Sequence, residues 1–341
     1  METMKAGIYL RTYMLFAILL ILIIVPRFNH RHLLGDPVEL SKNDVSLGDS
    51  RYYVAYTEYF RGERTTYQLK QPFTFRPMVP FLASLLPFKP MTAINVINIG
   101  MLLISLAFLM ATIQTLGFSF PYVVVGCALF VISFPTFYYG TIGYVEPGVL
   151  ALLFAGMYGL ERKRWWVFFA AVVLGILAKE TIVLLLPVLV TAAMTSPSDR
   201  KRLCWYTVVF IVIYIGGTVL VRVNAPGGGT YVWIPSWDHF INNVIRSHAW
   251  ISPVLSYGLP ALVIVAGVIG YGRKRSFRVV VWRYRCYVAG AAASLALFVY
   301  SITAAYADGR YMWLSYPFTV PLALAVLQYG NESIGRLKSQ Q

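Results

Sequence analysis

Eight charged side chains interrupt or border the apolar runs of this chain, and their types suit work on a polar or anionic substrate. A carboxylate can act as a general base, whereas lysine and arginine side chains suit phosphate groups. Because a charge at membrane depth is expensive, charged residues there are usually functional. The eight residues are Asp49, Arg51, Arg76, Glu146, Lys179, Glu180, Asp308 and Arg310.

The composition indicates an integral membrane protein. Hydrophobic residues make up 58% of the 341 residues and charged residues only 13%, a balance that soluble domains of this size do not show. The apolar runs, one of them at about 119–137, predict an all-α polytopic protein with about ten transmembrane helices, in which residues 1–341 form one membrane domain. The net charge of +15 mostly reflects basic cytoplasmic loops, so no nucleic-acid partner is expected.

Three basic clusters predict the orientation of the chain. Residues 162–164, 200–202 and 273–275 fall on one side of the predicted bilayer, and the eight charged residues fall on the other. The positive-inside rule assigns the clusters to the cytoplasm. The sequence therefore predicts a multi-pass protein of the inner or plasma membrane, with a cytoplasmic N-terminus and its site on the outer face.

The apolar stretch 165–195 is too long for one span, because a single helix there would measure about 45 Å. A hairpin of two short helices, turning at 178–181, places Lys179 and Glu180 at the outer interface. The two side chains form a structural ion pair, or Lys179 binds a phosphate group and Glu180 positions it. Arg310, at the start of a later span, snorkels to the interface or completes a phosphate clamp with Lys179.

The first outer loop, 27–90, carries the candidate base. Tyr53, Tyr56 and Phe60 recur at helical spacing and predict an amphipathic interfacial helix over about 50–61. Arg61 closes its last turn and Gly62 follows at the C′ position. Asp49 opens this helix and acts as a general base or only as an N-cap, and local sequence favours the cap.

Other candidate residues surround this set. Arg51 and Arg76 add to the phosphate clamp, and Asp308 supports Arg310. Tyr139 and Glu146 line a sugar pocket or belong to an aromatic girdle. A second outer loop, 223–253, is a membrane-anchored loop or a mobile lid. Ser236 in this loop is expected to cap a short helix.

The order of these segments resembles the GT-C superfamily of membrane glycosyltransferases, in particular protein-mannosyltransferase-like and aminoarabinose-transferase-like members. Residues 49–53 (Asp-Ser-Arg-Tyr-Tyr) are similar to the family's Asp-Glu-x-x-Tyr motif, with serine in place of the glutamate. Residues 174–181 followed by Pro187 resemble its Gly-Leu-x-x-x-Thr-Lys stretch. Residues 310–311 with Pro317 resemble its late Arg-Tyr segment.

The resemblance implies a catalytic Asp49 and a polyprenyl-phosphate-linked sugar donor. Lys179 and Arg310 would neutralise the departing phosphate, and a lipid, glycan or protein acceptor would attack with inversion. No cofactor is expected. Metal independence is favoured, because Asp49, Glu146 and either His30 or His32 are the only nearby candidate ligands.

Two other functions fit parts of the pattern. A polysaccharide polymerase or ligase that uses lipid-linked sugars would employ His239, Arg246 and His248 of the second outer loop. A lipid or sugar transporter would also have many spans and intramembrane charges, but its charges would lie near the midplane and its halves would be related by a repeat.

Overall fold

The described part of the chain is built from α-helices. The structure is a computed structural model and describes residues 2–32, 48–66, 69–228, 234–305 and 307–338. Within these ranges the α-helices are α1 (Glu2–His32), α2 (Ser50–Phe60), α3 (Met78–Ser84), α4 (Pro90–Thr115), α5 (Phe120–Val131), α6 (Phe134–Tyr139), α7 (Glu146–Glu161), α8 (Trp165–Ala178), α9 (Leu185–Thr195), α10 (Arg200–Asn224), α11 (Trp237–Ile245), α12 (His248–Tyr271), α13 (Arg275–Arg283), α14 (Arg285–Ala304), α15 (Arg310–Trp313) and α16 (Tyr316–Lys338).

Five of the described helices are long and apolar enough to cross a membrane, as expected of an all-α membrane protein. Most of the other predicted spans coincide with shorter helices, whereas α16 has 23 residues but is not among the candidate spans. For example, the 14 residues of α8 extend only about 21 Å, less than the roughly 30 Å of a bilayer core. The prediction of about ten spans is therefore not confirmed. The five candidate spans are Gly7–Val25, Pro90–Thr115, Arg200–Asn224, Ala249–Tyr271 and Arg285–Ala304.

The span predicted at about 119–137 is wrong as a single helix. Helix α5 ends at Val131 and α6 begins at Phe134. Proline has no N–H to donate, and its ring collides with the carbonyl four residues earlier in a continuous helix. Pro135 stands four residues after Val131, so the helix is interrupted there.

The chain divides into two compact units, and the first contains most of the candidate site. Its core packs α2 and α3 against α4, through side chains such as Tyr53, Val79 and Ile94. Helices α7 and α8 form a tightly packed hairpin in which Gly159 lies against the backbone of Phe168, where a side chain would not fit. The first unit comprises Met1–Phe108, Pro135–Val183 and Phe210–Val232.

Helix α2 has the boundaries that the sequence predicts. Arg61 is its C-cap residue, and Gly62 follows in the left-handed conformation with φ of 76°, which glycine adopts without steric cost. The Arg61 guanidinium also donates to the carbonyls of Ala83, Leu86 and Phe88 at 3.2, 2.9 and 2.8 Å. These carbonyls lie at and beyond the C-terminal end of α3, so Arg61 ties α2 to α3.

The second unit is organised around α16, which packs against α5, α12 and α14. Glycines allow these close contacts: Gly267 lies against Val326, and Gly290 against Phe318. Helix α11 begins as predicted, because the Ser236 hydroxyl accepts a hydrogen bond from the His239 amide at 3.1 Å. The second unit comprises Leu109–Phe134, Leu184–Val209 and Trp233–Gln341.

The prediction of one membrane domain over 1–341 stays a prediction.

Candidate functional site

The hairpin of α7 and α8 explains why distant charged residues meet in the first unit. The two helices are joined by only three residues, 162–164. The start of α7 and the end of α8 therefore lie at the same end of the hairpin. Gly148, near the start of α7, also lies against Met78 and Val79 of α3. This arrangement brings together the elements that carry Arg76, Glu146, Lys179 and Glu180.

Lys179 forms a buried ion pair with Glu146. Its Nζ donates to Glu146 Oε1, and the two side chains are 1% and 0% exposed. The backbone of Lys179 is extended, with φ of −172° and ψ of 141°, so α8 ends at Ala178 as the sequence predicts. The predicted pair between Lys179 and Glu180 is wrong, because the carboxylate that Lys179 contacts comes from α7.

Arg76 is the second buried cation and is 3% exposed. Its Nη2 and Nε donate to the two Glu180 carboxylate oxygens at 2.6 and 3.1 Å, and its Nη1 donates to the Tyr53 hydroxyl at 2.7 Å. Burial alone would lower the pKa of Arg76, but the Glu180 carboxylate, together with Tyr53 and Glu146, outweighs burial and holds the pKa above its ordinary value. The guanidinium is therefore a permanent charge.

The two ion pairs act on each other. The Glu146 carboxylate interacts with Arg76, and the Lys179 ammonium interacts with Glu180. We call Tyr53, Arg76, Glu146, Lys179 and Glu180 the polar network. Each buried charge in it has a partner of opposite sign, which is the condition for stable burial.

Asp49 lies at the edge of the polar network. It occupies the N-cap position of α2, but its carboxylate makes no capping hydrogen bond and is partly exposed. Burial raises the pKa of the Tyr53 phenol, Arg76 opposes this, and the Glu146 and Asp49 carboxylates raise the pKa further. The two carboxylates therefore lie within electrostatic range of Tyr53. Local sequence favours N-capping by the Asp49 side chain. This prediction is wrong, because the side chain makes no capping hydrogen bond.

The remaining predicted residues of the first unit have structural contacts. Tyr139 is 1% exposed, and its ring stacks on Tyr144 at a centroid distance of 6.2 Å. Arg51 donates to the hydroxyl of Tyr52 at 2.7 Å, and its guanidinium lies 4.7 Å from the Tyr52 ring centroid. Tyr139 is thus a packing residue in this structure, and Arg51 is held by its neighbour.

No protein-family model, curated protein or solved structure matches this chain. The GT-C resemblance therefore depends on the short sequence segments alone.

The described side chains include no group of three or more His, Cys, Asp or Glu residues that could hold a metal ion. The side chains of His30 and His32, two of the ligand candidates, lie outside the described residues.

Asp308 and Arg310 lie in the second unit and form a pair there. Arg310 Nε is 3.8 Å from Asp308 Oδ2, and both residues are buried. The Ser252 hydroxyl donates to Asp308 at 3.1 Å and accepts from the Gly309 amide at 3.1 Å. Arg310 is thus held inside the unit rather than snorkelling into water. Its predicted contact with the donor stays a prediction.

Asn243 fixes the chain segment that leads to Asp308. Its amide group donates to the carbonyls of Ile302 and Ala305 at 2.8 and 2.7 Å and accepts from the Ala307 amide at 3.1 Å. We expect Asn243→Ala to lower the free energy of unfolding by about 1–3 kcal/mol, because buried backbone groups lose their partners. Unfolding in detergent measures this, and Asn242→Ala, at an exposed neighbour, is the control. Equal effects of the two changes would contradict the role of Asn243.

Two residues of α10, Tyr214 and Arg222, lie beside the polar network but were not among the site residues that the sequence predicts. The Tyr214 hydroxyl donates to the Glu180 carbonyl at 3.0 Å, and the Arg222 guanidinium lies 5.4 Å from the Phe75 ring centroid. A helical spacing of eight residues places Tyr214 and Arg222 on one face of α10. The sequence signal that could have identified Arg222 as a site candidate is a charged residue in the last turn of a predicted span.

Proposed function

We propose that this protein is an inverting glycosyltransferase that moves a sugar from a polyprenyl-phosphate donor to an acceptor. The observation that carries the proposal is the position of Asp49. Its carboxylate is partly exposed, does not cap α2, and lies beside a buried polar network that holds its surroundings in place. A positioned carboxylate open to substrate is what a general base requires.

The proposed reaction is a single displacement. Asp49 accepts the proton of an acceptor hydroxyl or amine while that atom forms a bond to the anomeric carbon of the sugar. The bond from the anomeric carbon to the phosphate oxygen breaks, and its electron pair leaves with polyprenyl phosphate. The configuration at the anomeric carbon inverts, and basic side chains neutralise the departing phosphate.

The hairpin of α7 and α8 supports an outer-face location in this proposal. The basic residues 162–164 form the turn at one end of the hairpin, and Glu146 and Lys179 lie at the other end. Basic turns are retained on the cytoplasmic side. In this proposal the site therefore acts on the outer face of the cell membrane, where its acceptor is a lipid, a glycan or a protein.

A product assay with purified protein tests the proposal. The protein, in detergent or nanodiscs, is incubated with a panel of polyprenyl-phosphate sugars and with lipid, glycan and peptide acceptors. Mass spectrometry should detect one glycosylated acceptor together with released polyprenyl phosphate, and nuclear magnetic resonance should show an inverted anomeric centre. Movement of donor across the bilayer with no new bond would overturn the proposal in favour of a transporter.

A further inference from the structure

A cleft opens beside Glu180 in the first unit, where α8 and α10 meet the turn that precedes α3. The cleft is shallow: its enclosed part has room for about one water molecule, and the rest of its roughly 260 Å³ of empty space belongs to its open mouth. A ligand would therefore lie across the mouth, against the exposed side chains at the rim, rather than inside the cleft. Its walls combine apolar, hydroxyl and charged side chains, and they are formed by Phe75, Ile176, Glu180, Thr218, Val221 and Arg222.

The charges of the cleft are arranged at two depths. The buried Arg76 guanidinium donates to the Glu180 carboxylate, and 34% of the Glu180 side chain remains exposed. Arg222 is exposed at the rim, where its guanidinium lies over the ring of Phe75. A cation over an aromatic ring is oriented while its N–H groups stay available to a ligand. The rim can therefore bind an anion, and the Glu180 carboxylate can accept hydrogen bonds from hydroxyl groups.

The location of Arg222 indicates a lipid as the source of the anion. Arg222 lies in the last turn of α10, a 25-residue candidate span whose most apolar part is only 6% buried. A helix of this length is about 37 Å long, so its last turn lies at the level of lipid headgroups. Val219, Leu220 and Val223, next to Arg222 on the helix, are also exposed and offer a surface for an acyl or prenyl chain.

The other cations of the first-unit site are less accessible. Lys179 and Arg76 are almost completely buried, and each is paired with a carboxylate. A phosphate would have to displace Glu146 or Glu180 to reach them directly. Arg222 needs no such rearrangement.

We propose that Arg222 binds the phosphate of the lipid-linked donor at the rim of this cleft, and that Glu180 accepts hydrogen bonds from the hydroxyl groups of the attached sugar. The inference rests on the proposed glycosyltransferase function. It reassigns direct phosphate contact from Lys179 and Arg76 to a residue that the sequence motifs do not include. Lys179 and Arg76 then hold the carboxylates of the polar network in place.

A binding experiment tests the cleft without requiring turnover. The affinity of purified protein for a polyprenyl monophosphate is measured by native mass spectrometry, alongside phosphatidylglycerol and inorganic phosphate. We expect Arg222→Gln to weaken polyprenyl phosphate binding by about tenfold or more, because a charge-assisted hydrogen bond is lost. Arg222→Lys should retain part of the affinity. The control is Arg200→Gln, which removes an exposed arginine from the opposite end of α10 and should have no effect.

The outcomes separate the cleft from the reaction. Unchanged binding by Arg222→Gln would overturn the cleft assignment, even if the wild-type protein transfers sugar. Equal affinity for phosphatidylglycerol, or tight binding of inorganic phosphate alone, would overturn the assignment to the donor lipid. Loss of binding in Arg222→Gln would support the cleft even if no transfer is ever detected, and only the proposed reaction would then fail.

Discussion

Asp49→Asn should abolish sugar transfer and leave the protein folded. The amide has almost the shape of the carboxylate but cannot accept a proton from the acceptor, and loss of a general base typically lowers a rate by roughly 100- to 10,000-fold. We expect stability to change little, because asparagine has nearly the size of aspartate and is equally acceptable at an N-cap. The measurements are the initial rate of product formation and the unfolding midpoint of both proteins.

A matched change elsewhere controls for a general loss of negative charge. Asp238 is exposed in the first turn of α11, and Asp238→Asn should transfer sugar at the wild-type rate. Retained transfer by Asp49→Asn would contradict the assigned base. If changing His239 or Arg246 abolished activity instead, the polymerase or ligase function would explain the protein better.

Breaking the pair between Lys179 and Glu146 should strongly destabilise the fold. Removing one partner leaves a charge that is buried and uncompensated, at a cost of about 3–5 kcal/mol. We therefore expect Lys179→Met and Glu146→Gln each to lower the free energy of unfolding by this amount. The double variant should recover much of the loss, because no isolated charge remains. Unfolding with increasing denaturing detergent measures all four proteins of the cycle.

An exposed pair provides the comparison. Arg202 and Asp199 are bonded at 2.9 Å, and their side chains are 46% and 25% exposed. The same cycle at this pair should give a coupling of about 0–1 kcal/mol, because water screens both charges. Strictly additive losses at Lys179 and Glu146 would show that the buried pair is not a coupled unit.

Local sequence signals predicted the ends of helices well. Arg61 and Gly62 end α2, Ser236 begins α11, and α8 ends before Lys179, each for a reason contained in a few neighbouring residues. A cap or a break depends on backbone geometry over one turn, which short patterns encode. These predictions needed no knowledge of the tertiary fold.

The partners of the site residues could not be predicted in the same way. Lys179 and Glu146 are 33 residues apart, and Arg76 and Glu180 are 104 apart. Composition and spacing show that a buried cation needs a carboxylate but leave several candidates for it. Which carboxylate lies nearest depends on how the hairpin of α7 and α8 packs against α3. For the same reason, the sequence did not reveal that the Asp49 side chain makes no capping hydrogen bond.

The three hydrogen bonds from Arg61 to backbone carbonyls fix α2 against α3. Asp49 opens α2 and Arg76 directly precedes α3, so the bonds from Arg61 to the end of α3 set the spacing of both residues before any substrate arrives. Helices α2 and α3 thus form a preorganised platform. In the proposed reaction, little binding energy would be spent on ordering this platform, and more would remain for lowering the barrier.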